Sequence, residues 1–427
     1  MKKFLFASLV ALTSLSAACS DDGKDDTPAD VVFPADIAIK VNMREAAVTA
    51  DQVPKFSAND LPGLSRSVNA FTHDFDKELD HSASYVVSAY SIHSALSMAA
   101  YGAANKTKTE LDAALHLDSD ADAAAKANGG LRTLLRYDGQ GASKFNIANR
   151  IWFDNDFPIL DSFTKGLADH YLAEPQIIDS NADPQIVADI INTWVSYNTN
   201  AMIPSLVKKE DVHGMRLMIV NAVAFDGKWK TKFDKKNTSK ESFRGLAGVK
   251  TVDMMHNSEV DVRYAYDDEK KFAAVKIPYE GDKFSMVVVL PDADDGISSI
   301  ATDAFDGISW MSETVKLSLP KFRIETAVDS GKNIAILGKL GVKDAFMNGT
   351  ADFSKTANDP NLAIAAIIHK AVIVVDEEGT KAAAATYIGE NDKAVGREFR
   401  ADHPFAFAIV HNDTGTILFS GQYLGDL

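Results

Sequence analysis

The stretch "VVDEEGTKAAAATYIGENDK", residues 374–393, combines features that rarely occur together in a globular protein. It begins with β-branched residues typical of a buried strand, breaks at Gly379 and continues through four consecutive alanines into polar residues. No hydrophobic period is visible between Thr380 and Asp402. A loop of that length inside a compact domain is usually functional, so we expect this segment to carry the activity.

The alanine tract is compatible with two local structures. In a strand, one face would carry only small or apolar side chains, those of Thr380, Ala382, Ala384, Thr386 and Ile388. Such a strand could enter between two existing strands without requiring large holes, and Lys381 would lie on the opposite face. Alanine also has the highest helix propensity, so residues 380–388 could instead form a short helix capped by Thr380.

Composition places the chain among ordinary globular proteins. Its 427 residues are 46% hydrophobic and 24% charged, which is enough to build a large core. The formal net charge of −16 and the lack of any Lys/Arg-rich run argue against a nucleic-acid partner, because phosphates would be repelled over most of the surface.

The N-terminus has the pattern of an export signal. Two lysines precede an apolar stretch over residues 4–15, which is too short for a comfortable membrane span. Small residues then lead into Cys19, so residues 1–18 are predicted to be a signal peptide. Cys19 is either the lipidated first residue of a bacterial lipoprotein or incidental to ordinary cleavage after Ala17 or Ala18.

The residues that follow predict a tether and then one folded domain. Residues 19–36 are acidic, contain Pro and Gly, and lack an aromatic residue up to Phe33, which is typical of a flexible segment. We assign residues 37–427 to the folded domain. Because Cys19 is the single cysteine, no intrachain disulfide can form.

Hydrophobic periodicity changes along the chain. The first half favours helices over 91–103, 108–117 and 183–199, and the second half favours strands over 217–225, 284–291, 315–322 and 371–376, with a helix over 331–346. Residues 405–423 alternate around "NDTG", which predicts a hairpin. Helices followed by mostly antiparallel strands indicate an α+β fold with more than one sheet.

Signatures of catalysis and metal binding are missing. The chain has no G-x-S-x-G, H-E-x-x-H or Walker motif, and its ten histidines lack metal-ligand spacing. The acidic stretches at 118–123 and 291–296 do not satisfy the spacing of a calcium loop. We therefore expect neither an enzyme nor a bound metal or cofactor.

Several ordered motifs resemble one family. The stretch "HKAVIVVDEEGTKAAAAT" (369–386) is similar to the hinge signature of the serpins, which precedes their reactive loop. The resemblance extends over roughly residues 40–427 in one frame. The other matching motifs are "SAYSIHSALSMAAYGA" (88–103), "INTWV" (191–195), "NAVAFDGKWKTKFD" (221–234), "TVDMM" (251–255), "IPYEGDKFSMVVVLP" (277–291), "LPKF" (319–322), "ADFS" (351–354) and "ADHPFAFAIVHNDTGTILFSGQYL" (401–424).

This resemblance implies a fold and a mechanism. The serpin fold has three β-sheets, about eight or nine helices and an exposed reactive-centre loop. A protease that cleaves the loop becomes trapped as an acyl-enzyme when the severed loop inserts as a new strand of the largest sheet. About fifteen inserted residues at roughly 3.3 Å each would carry the protease on the order of 50 Å.

The resemblance also implies positions for the functional residues. Counting from Gly379 places the reactive bond between Lys393 and Ala394, and the Pro404-Phe405 pair gives the same position. Arg397 is the other basic candidate. The hinge comprises Glu378, Gly379, Thr380, Lys381, Ala382, Ala383, Ala384, Ala385 and Thr386. The shutter, which lets the sheet open, comprises Ser88, Ser91, Asn221 and His369, and Trp229 is the breach residue beneath the loop's entry point.

Lysine before the bond implies trypsin-like serine proteases as partners, in a covalent 1:1 complex with a serpin monomer; a lysine-preferring cysteine protease is a second option. The alternatives are a non-inhibitory serpin that binds a partner and is cut as a simple substrate, and a hydrolase on the same fold.

If Cys19 is lipidated, we expect anchoring to the bacterial outer membrane or cell surface, with the periplasm or the medium as alternatives. Four residues depart from the family pattern: Ala89, Lys381, Glu390 and Asp392.

Overall fold

Helices lie mainly in the first half of the chain and strands mainly in the second, as the sequence predicts. The computed structural model describes residues 36–43, 47–57, 61–117, 120–293, 296–299, 305, 307–380 and 397–427. All of these belong to one folded unit, Ala35–Leu427. Within these ranges, no helix combines the length and apolarity needed to cross a membrane.

Nine α-helices occur in the described residues. They are α1 (Leu61–Leu64), α2 (Arg66–Asp76), α3 (Ala89–Tyr101), α4 (Asn105–Ala114), α5 (Ala121–Asp138), α6 (Asp161–Tyr171), α7 (Pro184–Asn198), α8 (Lys209–Val212) and α9 (Ser330–Lys339).

Local capping explains where several helices begin and end. Helix α7 starts where the helix predicted over 183–199 begins, with Pro184 in its first turn and the Asp183 carboxylate accepting from the Gln185 N–H at 2.8 Å. The predicted helix over 331–346 is interrupted, because α9 ends at Lys339 and Gly341 has φ +102°.

The described strands number fifteen. They are β1 (Tyr85–Val87), β2 (Lys144–Asp154), β3 (Gln176–Ile178), β4 (Leu217–Lys228), β5 (Ser239–Gly245), β6 (Gly248–Asp267), β7 (Phe272–Pro278), β8 (Phe284–Pro291), β9 (Met311–Pro320), β10 (Phe322–Val328), β11 (Ile364–Val375), β12 (Gly379–Thr380), β13 (Arg397–Arg400), β14 (Phe405–His411) and β15 (Ile417–Tyr423).

The smaller sheet positions the loop segment. Its strand order is β10-β11-β4-β2-β3, and the short β12 pairs with the end of β4. Strands β4 and β11 are parallel, as are β2 and β3, whereas β10 runs antiparallel to β11 and β2 antiparallel to β4. Most residues of β4 and β11 are buried, which is why both strands read as nearly continuous apolar runs.

The larger sheet has nine strands, in the order β1-β15-β14-β8-β7-β6-β9-β13 with β5 pairing β6. The expected three sheets are therefore seen as two hydrogen-bonded sheets. The twenty-residue strand β6 joins two parts of the larger one, because its first residues pair with β5 and its last with β7. The α+β fold class is confirmed.

Two predictions about the C-terminal region have different outcomes. The hairpin is confirmed, since β14 and β15 pair antiparallel around a turn in which Gly415 has φ +70°. The prediction that no regular structure lies between Thr380 and Asp402 is wrong for one segment. Strand β13 pairs parallel with β9 and buries Phe399, a signal too short to stand out from the polar residues around it.

Two apolar cores hold these layers together. One lies between the sheets and includes Phe225 of β4, Ile373 of β11 and Phe407 of β14. The other packs α2, α3 and α6 against the opposite ends of the central strands, with Ile219 of β4 and Ile367 of β11 among its members. Strands β4 and β11 thus contribute to both cores, so any movement between them disturbs most of the buried apolar surface.

Candidate functional site

Strands β4 and β11 separate at one end, where the loop segment begins. Their pairing runs from Leu217 and Ile364 as far as Ala224 and Val372. Beyond it, Gly379 and Thr380 form β12, which pairs antiparallel with Lys228 and Gly227 of β4. Thr380, the first residue of the predicted insertable segment, is therefore already in a strand, and the rest of that segment lies outside the described residues.

A tight turn connects β11 to β12. The Asp376 N–H donates to the Gly379 carbonyl at 2.9 Å, and the Asp376 carboxylate accepts from the N–H groups of Glu378 and Gly379. Gly379 has φ +155°, and a Cβ there would lie 2.1 Å from the Gly227 carbonyl oxygen. Only glycine allows β12 to approach β4 this closely.

The breach residue Trp229 lies directly against this turn. It is 1% exposed, its Nε1–H donates to the Asp376 carbonyl at 2.9 Å, and its backbone N–H donates to the Glu378 carbonyl at 2.9 Å. Its ring stacks on that of Tyr279 with centroids 4.6 Å apart, and the Tyr279 hydroxyl is 2.8 Å from Thr380 Oγ1. Burial raises the pKa of Tyr279, so this hydroxyl stays protonated.

Two glutamates of the hinge region are tied to lysines. Glu378 accepts from Lys232 at 2.8 Å with Lys235 at 3.6 Å, and these lysines lower its pKa. Burial would raise the pKa of Glu377, but hydrogen bonds from Lys321 and Thr238, each 2.8 Å long, outweigh it and lower the pKa. We call Trp229, Tyr279, Glu377, Glu378 and their lysine partners Lys232 and Lys321 the breach cluster.

The four predicted shutter residues meet at the centre of the smaller sheet, all fully buried. His369 of β11 is directly opposite Asn221 of β4, with Nδ1 2.6 Å from Asn221 Oδ1. Ser91 Oγ lies 2.5 Å from the same oxygen, and Ser88 of the α3 N-cap donates its N–H to His369 Nε2 at 3.1 Å. The cluster therefore joins a helix to both central strands.

Hydrogen bonding fixes the state of His369. A backbone N–H can only donate, so Nε2 must accept from Ser88 and the ring proton must lie on Nδ1, which donates to Asn221. Burial lowers the pKa of His369 to about 3, which keeps the ring neutral.

A fifth polar residue, missed from the sequence, adjoins the shutter. Asn149 of β2 is opposite Asn221, its Oδ1 lies 2.8 Å from Ser91 Oγ, and its Nδ2–H donates to the Ser91 carbonyl at 3.0 Å. In the sequence, the only indication of this role was a polar side chain close to the apolar residues of β2. Its partners are 58 and 72 residues away in the sequence.

Several predicted residues lie outside the described residues: Cys19, Lys381, Ala382, Ala383, Ala384, Ala385, Thr386, Glu390, Asp392, Lys393 and Ala394. Arg397, the alternative reactive residue, lies in β13 opposite Val315 of β9. Its guanidinium is 4.5 Å from the centroid of the Tyr264 ring.

One group with metal-ligand residue types occurs in the described part of the chain. His411 Nε2 lies 3.0 Å from Asp138, and Asp413 is nearby. Lys283 Nζ lies 2.8 Å from Asp413 and 3.5 Å from Asp138, so its ammonium compensates both carboxylates. This arrangement is that of an ion-paired cluster that is buried at Asp138 and His411, partly exposed at Lys283 and exposed at Asp413.

Comparisons with known proteins agree with this geometry. The family model of the serpins, described as serine protease inhibitors, matches residues 66–425. An uncharacterised serpin-like protein of Thermococcus kodakarensis is 34% identical over 84% of each chain. A serine protease inhibitor of Cyanea capillata is 33% identical over 79% of this chain and 91% of its own.

Among solved structures, Serpin48, a highly specific serpin of the insect Tenebrio molitor, superposes with a TM-score of 0.76 at 29% identity. The match covers 87% of this chain and 99% of that one. The chain belongs to the serpin family and has the serpin fold.

Proposed function

We propose that this serpin is a suicide-substrate inhibitor of trypsin-like serine endopeptidases. A protease would cleave the reactive loop, and the freed segment would then insert between β4 and β11. The observation that carries this proposal is the pairing of Gly379 and Thr380 with the end of β4, just beyond the point where β4 and β11 separate.

The direction of β12 makes further insertion favourable. Strand β12 is antiparallel to β4, and β11 is parallel to β4, so a longer β12 would run antiparallel to both neighbours. One parallel ladder would be replaced by two antiparallel ladders, which doubles the number of strand contacts. The small residues that follow Thr380 can occupy the buried face without large voids.

The reactive bond is assigned to Lys393–Ala394. A lysine before the bond fits a specificity pocket with a carboxylate at its base. Cleavage after Arg397 would require a protease to bind residues that already pair with β9, which argues against the alternative.

Inhibition would require that loop insertion is faster than deacylation of the protease. Acylation breaks the loop, and insertion then carries the acylated protease on the order of 50 Å along the sheet. Pressing the protease against the far end of the serpin would distort its oxyanion hole, whose loss slows deacylation by orders of magnitude. The acyl bond then persists as a covalent 1:1 complex.

A denaturing gel after mixing with trypsin tests the proposal. A stable band near the summed mass of the two proteins is expected, and Lys393→Ala should remove it. A nicked product alone would instead favour a non-inhibitory serpin cut as a simple substrate. Complex formation by Lys393→Ala through a different bond would contradict the assigned position.

We also propose that the protein is exported and held at the bacterial outer membrane or cell surface by a lipid on Cys19. The support is the signal-like N-terminus followed by an acidic tether. Metabolic labelling with a fatty acid should mark the wild type and not Cys19→Ser. If the wild type and Cys19→Ser are labelled equally, or neither is labelled, Cys19 is not the lipidated residue and ordinary signal cleavage is favoured instead.

A further inference from the structure

A second concave site lies on the outer face of the larger sheet. It is a cavity of about 1040 Å³ formed mainly by β6, β7 and the start of β9. That volume is typical of small-molecule sites in proteins. The cavity lies on the face opposite the core between the sheets, because the neighbouring residues Val262 and Val275 point into that core.

Two cations lie side by side in the lining of this cavity. Arg263 of β6 is directly opposite Lys276 of β7, and directly opposed side chains share one face of a sheet. Their Cβ atoms are therefore about 5 Å apart, a spacing at which like charges destabilise the strand pair. Burial, and then the charge of Arg263, lower the pKa of Lys276.

The carboxylates around the cavity do not compensate Lys276. Asp261 accepts from the Thr314 hydroxyl at 2.7 Å, and Asp282 is paired with Lys230 at 2.7 Å. Glu313 also lines the cavity, but no hydrogen bond or ion pair joins it to Lys276 in the described part of the chain. Throughout the described part of the chain, no hydrogen bond or ion pair reaches the ammonium of Lys276, which is half-buried.

The remaining walls suit a molecule larger than a bare ion. Arg263 donates to Ser312 Oγ at 2.9 Å, which holds the guanidinium at the cavity. Trp310 forms part of the wall and packs partly against the apolar cluster on this face of the sheet. A planar apolar group could lie against its ring while a charged group reaches the two cations.

We propose that this cavity binds a small organic anion, with the oxygens of its carboxylate, sulfate or phosphate group lying between Arg263 and Lys276. Such a group would convert a repulsive pair into two charge-assisted contacts. The site is separate from the reactive loop, and the inference does not depend on the inhibitory function proposed above.

Calorimetric titration of the folded protein with inorganic phosphate and with phenyl phosphate, at constant ionic strength, tests this site. Both should bind, phenyl phosphate severalfold more tightly, and Lys276→Met and Arg263→Gln should each weaken binding at least tenfold. Lys250→Met is the control: it removes an exposed lysine from β6, the strand that carries Arg263, and should bind both probes like the wild type. Equal affinity for the two probes would overturn the role of Trp310.

A second measurement separates loss of binding from loss of folding. Without phosphate, Lys276→Met should melt no lower than the wild type, because it removes a like-charge contact. Phosphate should raise the melting temperature of the wild type more than that of Lys276→Met, whereas general salt effects act on both equally. Failure of the wild type to bind either probe, or equal stabilisation of both proteins, would overturn the proposal.

Discussion

The shutter and the breach cluster hold the same two strands with different kinds of contact. All four shutter residues are fully buried and connect α3, β4 and β11 through neutral hydrogen bonds. The breach cluster instead relies on ion pairs whose lysines are partly exposed, Lys232 at 31% and Lys321 at 37% of the side chain. The shutter closes the sheet where β4 and β11 are paired, and the breach cluster lies where they have parted.

Under the proposed insertion mechanism, the difference predicts where the sheet opens first. Water can replace the carboxylate as the partner of a lysine that is about one-third exposed, so each ion pair contributes on the order of 1 kcal/mol even though the side chains of Glu377 and Glu378 are only 5% and 7% exposed. A buried donor or acceptor that loses its partner costs about 1–3 kcal/mol. We therefore expect opening to begin at the breach cluster and the shutter to set the resistance to further insertion.

The largest effect is expected from Thr380→Arg. Thr380 is already fully buried beside Tyr279 in the intact fold, so arginine would displace β12 from the end of β4, and its guanidinium would have to be buried for the strand to enter the sheet again. Inhibition of trypsin should fall at least a hundredfold while cleavage continues, which a denaturing gel and residual trypsin activity would measure. Thr380→Ser, which keeps the hydroxyl, is the control, and undiminished inhibition by the arginine variant would contradict insertion.

The next effect concerns the shutter itself. Asn221→Leu removes the acceptor for His369 and one of the two amide oxygens within reach of Ser91, so the free energy of unfolding should fall by up to about 3 kcal/mol in denaturant titrations. Spontaneous loss of inhibition on storage should also accelerate. The exposed Asn361→Leu should change neither quantity, and an unchanged Asn221→Leu would show that the shutter does not restrain the sheet.

A pH titration probes the same cluster. The pKa of His369 is about 3 when folded, below its ordinary value of about 6.5, so its contribution is complete above pH 6.5 and is lost as the pH falls toward 3. Between pH 6.5 and 5 the loss should be about 2 kcal/mol. His93, whose buried ring has a pKa near 4, adds to it.

In the His369→Gln variant, the free energy of unfolding should depend less steeply on pH, by the contribution of about one bound proton. Denaturant titrations at each pH measure this slope. The exposed Asn361→Gln, which removes no titratable group, should retain the whole slope. Equal slopes in the wild type and His369→Gln would mean that His369 titrates alike in the folded and unfolded protein.

The smallest effect is expected at the breach cluster. Glu378→Gln weakens the contacts to Lys232 and Lys235, so stability should fall by at most about 1 kcal/mol. The change should be smaller still at high salt, because these lysines are partly exposed. A loss as large as that of Asn221→Leu would erase the distinction between the two regions.

Motifs in the sequence predicted the fold and the principal members of both regions, because these residues stand in recognisable local patterns. Other residues depend on long-range pairing that no local pattern reveals. Asn149 is placed by strand register against Asn221, and Lys321 reaches Glu377 across 56 residues of sequence. Strand β13 escaped prediction because its pairing with β9 depends on a partner far away in the sequence.

Loop cleavage tests the central claim most directly. The intact protein and the protein cut after Lys393 should be compared by thermal unfolding under identical conditions, with cut Thr380→Arg as the control that cannot insert its loop. Insertion adds a strand with two ladders, so the cut wild type should melt higher by an amount on the order of tens of degrees. An unchanged or lower melting temperature of the cut wild type would contradict the claim that the intact fold stores energy for insertion.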